Sequence, residues 1–458
     1  MDSKVTHLPA PQLRTLPAIE GKAAQDLLRD FRAQLGKTVW GTQTPDTLLG
    51  PVESALPSLL EFETDLQTLY RALLKVLVLE REISHADAQA HRMSDLMAHV
   101  RRFNHWPVMN EGILPSPEIL LAEDATKFMF GRPDIVLSAE GPKVVETNFD
   151  TGIGGYLRPD DIWKIAAQLF ILDDETLAFG SPLDGFAKYF SEVADKDAVD
   201  FHWIMKDKPE IRQEMDVALQ RLNSKQDNVF HRMQYTGEVV PSLRKGRKHV
   251  RHRACSIYTV KTALEQFTSM LQALLPATQA ETVPLALSVL DSKLMLAWIS
   301  DPAYRPGNLS DAEIRAVDRL IPWTRVLAFL SGGELAEVRN NREEFVIKKT
   351  DSFQARDVHL GWNTTHADWN DLITELSARA AWDGSATDIW IVQRRVRPRA
   401  QALIEYTDQG VIERSTGVSC CPYMMGGKLR GLETWVTPFN PDFSMIHKMQ
   451  FVPHFIRA

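Results

Sequence analysis

Cysteine is nearly absent from this chain. Three occur in 458 residues, Cys255, Cys420 and Cys421, and two of these are adjacent. That spacing excludes an ordinary disulfide framework and a tetrahedral zinc site, whose ligands come as separated pairs, and it points to a reducing compartment. No run of about 18 apolar residues is present, so no segment reads as a membrane-spanning helix. The opening stretch MDSKVTHLPAPQLRTLPA lacks the basic, apolar and small-residue order of a secretory leader. Excess charge of one sign is also missing. Lys and Arg number 52 against 60 Asp and Glu, a formal net charge of −8, too small at this length for non-specific attraction to nucleic acid or anionic lipid. These absences lead to the expectation of a soluble cytoplasmic protein with no membrane partner and no nucleic-acid partner. A homodimer is the common state for an enzyme of this size.

What is present describes a globular chain: 44% hydrophobic and 24% charged residues, long enough for roughly three domain-sized units. Residues 1–106 read as a helical N-terminal region, because Leu66, Leu69, Tyr70, Leu73 and Leu77 recur at the helical period. His85, His91 and His99 are spaced six and eight apart, which does not stack them as ligand pairs on a helix. From about Pro107 the texture changes. Arg132 to Leu137 and Lys143 to Asn148 are extended runs separated by turn residues, a hairpin signal. TGIGG follows, and then Pro159-Asp160-Asp161 opens an amphipathic helix through Ile162, Ile165 and Leu169.

Residues 107–282 are expected to form a core and a substrate-facing region, polar and mostly helical from about 185 to 280. Within it lies a basic run, Arg244, Lys245, Arg247, Lys248, Arg251 and Arg253. A solvated loop is the simplest reading of such a run; a clamp for an anionic co-substrate is the functional one. Residues 283–458 are β-rich. Leu285 to Leu290 reads as a buried strand, Ser310 with Glu313 as a capping box, Phe345 to Lys349 and Ile389 to Gln393 as strands, and Asp408-Gln409-Gly410 and Gly426-Gly427 as hairpin turns. Mixed elements throughout predict an α/β or α+β multidomain enzyme.

The stretch GRPDIVLSAEGPKVVETNFDTGIGG, residues 131–155, carries the chemistry. Glu146 and Asn148 are two apart on a predicted strand and so share a face. An odd-length turn places Asp134 on that face opposite Asn148; an even turn places it on the other. In the odd register two carboxylates and an amide oxygen converge, hard donors suited to Mg²⁺ carrying nucleotide phosphates. Arg132, two before Asp134, adds a guanidinium beside them. The bland alternative is an exposed hairpin with polar residues on its wet face.

VVETNFDTG resembles the E-x-N-x-D-T signature of glutathionylspermidine synthase-like, circularly permuted ATP-grasp ligases. That family holds magnesium with an Asp, a Glu and an Asn spaced 12 and then 2 residues apart, with an Arg two before the Asp. Asp134, Glu146, Asn148 and Arg132 match all four. FVIKKTDSFQARDVHLG is similar to the family's nucleotide strand and phosphate loop, with Lys348 at the phosphate-contacting lysine. Lys349 replaces a proline, and Gln354 and Ala355 stand where glycines are usual. DIWIVQRRVRP resembles the strand into the adenine linker, with Gln393 matching. LDSKLMLAWISDP makes Lys293 a second phosphate-contact candidate. PYMMGGKLRG resembles the late hairpin, but Thr434 and Trp435 follow Glu433 where a phosphate-contacting arginine is usual.

The resemblance implies an ATP-grasp-like α+β fold, with the nucleotide between two mostly antiparallel sheets. It implies ATP and Mg²⁺ as cofactors, a carboxylate substrate and an amine acceptor as partners, and amide formation through an acyl phosphate. Arg132 would act on the phosphorylated carboxylate; Lys348, Lys293, Lys349 and Gln393 would face the nucleotide; Asp134, Glu146 and Asn148 would hold the metal. Strand alternation allows only one of Lys348 and Lys349 to reach it. Cys420 and Cys421 are expected to be structural. The alternative function is a nucleotide-binding or scaffold protein of the same fold that has lost turnover.

Overall fold

The computed structural model describes residues 13–16, 23–38, 46–82, 117–153, 157–170, 181–238, 242–254, 269–270, 274, 280–352, 356–379, 388–438 and 450–457. His85, His91, His99, Gly154, Gly155, Cys255, Gln354 and Ala355 lie outside these residues.

Helix Leu56–Glu82 forms where the apolar spacing predicts it. Leu66, Leu69, Tyr70, Leu73 and Leu77 are each at most 2% exposed, and each leucine buried this way contributes about 1.5–3 kcal/mol. The helix packs on helix Asp311–Leu320, whose capping box closes as read. The Glu313 N–H donates to Ser310 Oγ at 3.3 Å and the Ser310 N–H donates to Glu313 Oε2 at 2.6 Å. Lys75 then donates to the same carboxylate at 2.7 Å, tying the two helices together.

Two antiparallel sheets frame the region that matters for function. The larger contains β2 (Leu48–Leu49), β4 (Phe130–Gly131), β5 (Asp134–Ser138), β6 (Gly141–Glu146), β15 (Ala400–Thr407), β16 (Gly410–Met425), β17 (Lys428–Pro438) and β18 (Gln450–Val452). Its spine runs β18-β17-β16-β15-β2, with β4 and β5 pairing on β16 and β6 pairing on β5. The turns Asp408-Gln409 and Gly426-Gly427 join the long strands. Both glycines of the second have positive φ, +62° and +78°, which a two-residue turn with this twist requires. The second sheet, β11 (Thr324–Val326), β12 (Phe345–Lys349), β13 (Val358–Leu360) and β14 (Trp390–Arg394), has the order β11-β14-β12-β13. A small sheet of β1 (Arg14–Thr15), β3 (Val52–Ala55) and β19 (His454–Arg457) joins the early and late parts of the chain. Among the described residues before 83, helices Ala24–Leu35 and Leu56–Glu82 alternate with short strands that complete sheets built far downstream.

The stretch from 185 to 280 departs from its sequence reading. Besides helices Pro182–Ala194 and Pro209–Asn223 it holds a parallel sheet, β10-β9-β7-β8, of β7 (Val199–Met205), β8 (Val229–Tyr235), β9 (Lys248–Arg253) and β10 (Ala280–Glu281). Parallel strands usually announce themselves as apolar runs. These carry Asp200, His202, His231, His249, His252 and Arg253, all buried, and so read as polar. The basic run is corrected with them. Lys248 to Arg253 is β9 itself, not a solvated loop. Before it, Arg244 and Arg247 converge with Arg232 on the fully buried Asp200: Arg244 Nε at 2.7 Å, Arg247 Nε at 2.5 Å and Arg232 Nη2 at 3.2 Å. Leu285 to Leu290, read as a strand, lies in the 3₁₀ helix Leu285–Asp291, an ambiguity that a short apolar run always carries.

Candidate functional site

The site begins at the hairpin β5–β6. Its turn is even, Ala139-Glu140, with Ser138 opposite Gly141, and the pairs continue as Leu137–Pro142, Val136–Lys143 and Ile135–Val144. Continued unbroken, this register would put Asp134 opposite Val145 and turn Glu146 toward the core with Val144. A bulge at Val145 prevents it, so that Asp134 faces Glu146. The odd turn is thus corrected, and the facing it was needed for is supplied by one extra residue in the strand. The partner of Asp134 is Glu146 rather than Asn148. β6 ends at Glu146, and Asn148 follows with φ +40°. Its carbonyl accepts the Arg132 N–H at 3.0 Å. Gly131 allows this close pass, because a Cβ there would lie 2.2 Å from the Asn148 oxygen.

The second sheet approaches the hairpin from the other side. Lys348 and Gln393 sit on one face of β12 and β14, and Lys348 Nζ donates to Gln393 Oε1 at 2.9 Å and to the Val145 carbonyl at 3.1 Å. Gln393 in turn donates to Thr324 Oγ1 at 3.1 Å. The bulge therefore presents the main-chain oxygen that Lys348 holds. Burial pushes the Lys348 ammonium down to about 8, with Glu146 opposing that shift and Lys293 adding to it. Lys349 faces the other way and pairs with Asp388 at 2.6 Å, so the structure does not bring it to the site. Lys293 Nζ lies 3.6 Å from Glu146 Oε1 and donates to the Ser352 carbonyl at 2.5 Å.

Four acids and two bases complete the surroundings. Arg132 is ion-paired to Glu433. Burial pushes the Glu433 carboxyl up to about 7, against the pull of Arg132. The Asp134 carboxyl is raised by burial and then by Glu146, with Arg132 opposing. Asp150 is held by the fully buried Arg253 at 2.6 Å, and it raises nearby Asp291, which burial above all takes up to about 8. Cys421 Sγ–H donates to Asp134 Oδ1 at 3.6 Å. Burial lifts the Cys420 thiol to about 12 and raises the Cys421 thiol well above its ordinary value, so neither is a thiolate nucleophile.

A glutathione synthetase-like effector from Globodera pallida, in its apo form, superposes with a TM-score of 0.50 at 12% identity, over 95% of this chain and 98% of that one. The fold is glutathione-synthetase-like. A putative gamma-glutamylcysteine synthetase from Methylobacillus flagellatus is more distant, with a TM-score of 0.40, 11% identity, and 81% and 88% of the two chains covered. No family model and no curated protein matches the sequence.

Within this glutathione-synthetase-like frame, the donors suit a magnesium–nucleotide pair. Asp134 and Glu146 face the ammonium groups of Lys348 and Lys293, an arrangement that can meet a divalent cation on one side and phosphate oxygens on the other. Among the described residues no three His, Cys, Asp or Glu side chains are gathered closely enough to cage an ion alone. Mg²⁺ commonly takes one or two carboxylates and draws its remaining oxygens from phosphate and water, so Asp134 and Glu146 fit it. Sequence reasoning missed Asp291, Glu433 and the Asp150–Arg253 pair. Asp291 carried a signal, being two before Lys293; Glu433 carried none, since only the fold of β16 and β17 brings it under Arg132.

Proposed function

We propose that the chain is an ATP-grasp-type, ATP-dependent carboxylate–amine ligase. The observation that carries this is the Val145 bulge, which turns Asp134 and Glu146 to one face while Lys348 approaches from the opposing sheet and Lys293 from the start of helix Leu294–Ser300. In the proposed reaction a substrate carboxylate oxygen attacks the γ-phosphorus of ATP and ADP leaves. An amine then attacks the acyl phosphate carbon, phosphate leaves, and the amine nitrogen sheds a proton as the amide forms. Magnesium, when bound, would neutralise charge on the β- and γ-phosphates. Asp134 and Glu146 would hold it, with the Asn148 side chain as a further donor. Lys348 and Lys293 would bind phosphate oxygens, and Arg132 would orient the acid being activated. Positioning and charge do most of the work in such transfers, so no nucleophilic side chain is required.

A second reading, nucleotide binding without turnover, draws on Glu433. Its carboxylate is paired with Arg132, in a hairpin where Thr434 and Trp435 follow Glu433 in place of a phosphate-contacting arginine. One experiment separates the two: ADP release from Mg-ATP across a panel of carboxylates and amines, with hydroxylamine present. Carboxylate-dependent ADP release with a trapped hydroxamate supports the ligase. Mg-ATP binding with no ADP release under any combination supports the second reading.

A further inference from the structure

Behind Arg132 lies a buried platform that the ligation chemistry leaves unused. Cys421 on β16 and Glu433 on β17 are directly opposite in the ladder, and Tyr423, two residues along from Cys421, shares their face. Glu433 is 3% exposed and Tyr423 is fully buried. The Tyr423 hydroxyl donates to Glu433 Oε2 at 3.3 Å, and its ring centre lies 5.8 Å from the Arg132 guanidinium. In the Arg132–Glu433 pair the arginine side chain keeps 19% of its exposure and the glutamate only 4%. The acid is thus the more buried partner of the pair. The Arg132 main chain is fixed as well, through its N–H to Asn148.

A free arginine side chain has many rotamers, and one gripped from below by a carboxylate and a ring has few. We propose that Glu433, with Tyr423, is the positioning residue of Arg132: it holds the guanidinium with its outer edge toward the acid that ATP activates. This rests on the ligase reading. A donor aimed in advance costs no reorganisation when charge develops, so losing the grip slows the chemical step more than it weakens nucleotide binding. A buried pair that only joined strands would move stability and binding together.

The test uses the full chain with Mg-ATP and the carboxylate that gives the highest ADP release in the panel above, reading nucleotide Kd by calorimetry and the carboxylate-dependent rate of ADP release. Glu433→Gln is expected to keep Kd within threefold and to lose tenfold or more in rate, with Glu433→Asp recovering part of the loss. Tyr423→Phe, which removes only the hydroxyl, is expected to lose three- to tenfold in rate at unchanged Kd, and it decides the matter if Glu433→Gln fails to fold. Rates within twofold of the parent overturn the proposal, as does parallel loss of Kd and rate. If the parent chain binds no Mg-ATP, or binds it and releases no ADP with any carboxylate, the ligase reading itself falls and this inference falls with it; turnover in the parent with unmoved variants removes the inference alone.

Discussion

At the scale of single residues, Lys348 has the most to lose. Its ammonium is buried, depressed to about 8, and held between Gln393 and the Val145 carbonyl. Lys348→Ala should weaken Mg-ATP binding by one to several orders of magnitude, about 2–4 kcal/mol for a charge-assisted contact, as read by calorimetry. The depressed value also sets a pH dependence. Above about pH 8 the folded chain loses this proton while an unfolded one keeps it to near 10.5, so nucleotide affinity falls as pH rises through 8. This group's own contribution to stability rises over the same window. Measured affinity that is flat from pH 7 to 9 would contradict the assignment. Glu146→Gln should abolish Mg²⁺-dependent nucleotide uptake while leaving the circular dichroism spectrum unchanged. Gly131→Ala should destabilise the fold by about 1–3 kcal/mol, visible as a lower urea midpoint, because its methyl group collides with the Asn148 carbonyl. Glu146 was singled out by its spacing from Asn148, and Lys348 was legible from the resemblance of its strand. Their partners were not, because Glu433 is 287 residues beyond Glu146 in the chain and reaches Arg132 only through tertiary folding.

At the scale of elements, the hairpin answers two demands that conflict. Ile135, Leu137 and Val144 are fully or almost fully buried, and packing them fixes an even turn; Asp134 and Glu146 need the odd phase. The bulge at Val145 satisfies both. Deleting Val145 removes the extra residue and leaves Glu146 opposite Asp134 in regular pairing, so Mg-ATP binding should persist; a deletion that abolishes binding would show that the bulge itself, which presents the carbonyl Lys348 holds, is required. Periodicity cannot reveal such a bulge, because the residue that shifts the phase is an ordinary valine. The parallel sheet was hidden for the opposite reason: its strands replace aliphatic residues with histidine, arginine and aspartate, whose pairing inside the fold does the work of apolar packing. Asp200 shows how much depends on that pairing. Asp200→Asn would leave Arg232, Arg244 and Arg247 clustered without their shared counter-charge, at a cost of about 3–5 kcal/mol in unfolding free energy.

At the scale of the whole molecule, distant segments hold one another in place. β3 lies parallel to β19 with Val52 opposite His454, and β2 pairs with β15 through Leu49 and Glu405. His454 fastens the junction, its Nδ1 2.8 Å from Thr434 Oγ1 and its Nε2 2.8 Å from Ser54 Oγ. Burial depresses His454 to about 3, and His231 likewise. Both remain neutral in the fold below pH 6.5 while the unfolded chain takes up protons, so stability is lost as pH falls from 6.5 toward 3, at about 1.4 kcal/mol per pH unit for each. Replacing His454 with Gln should flatten part of that slope in a denaturant series. The mixed α+β class was legible from composition and patterning, but this long closure was not, since two- to four-residue strands give no periodic signal. It also imposes a timetable on synthesis. At roughly 5–20 residues per second on the ribosome, the strand at Val52, paired on one edge with Thr15, waits on the order of 20–80 s for its second partner about 400 positions later, its other edge exposed until the segment around His454 emerges.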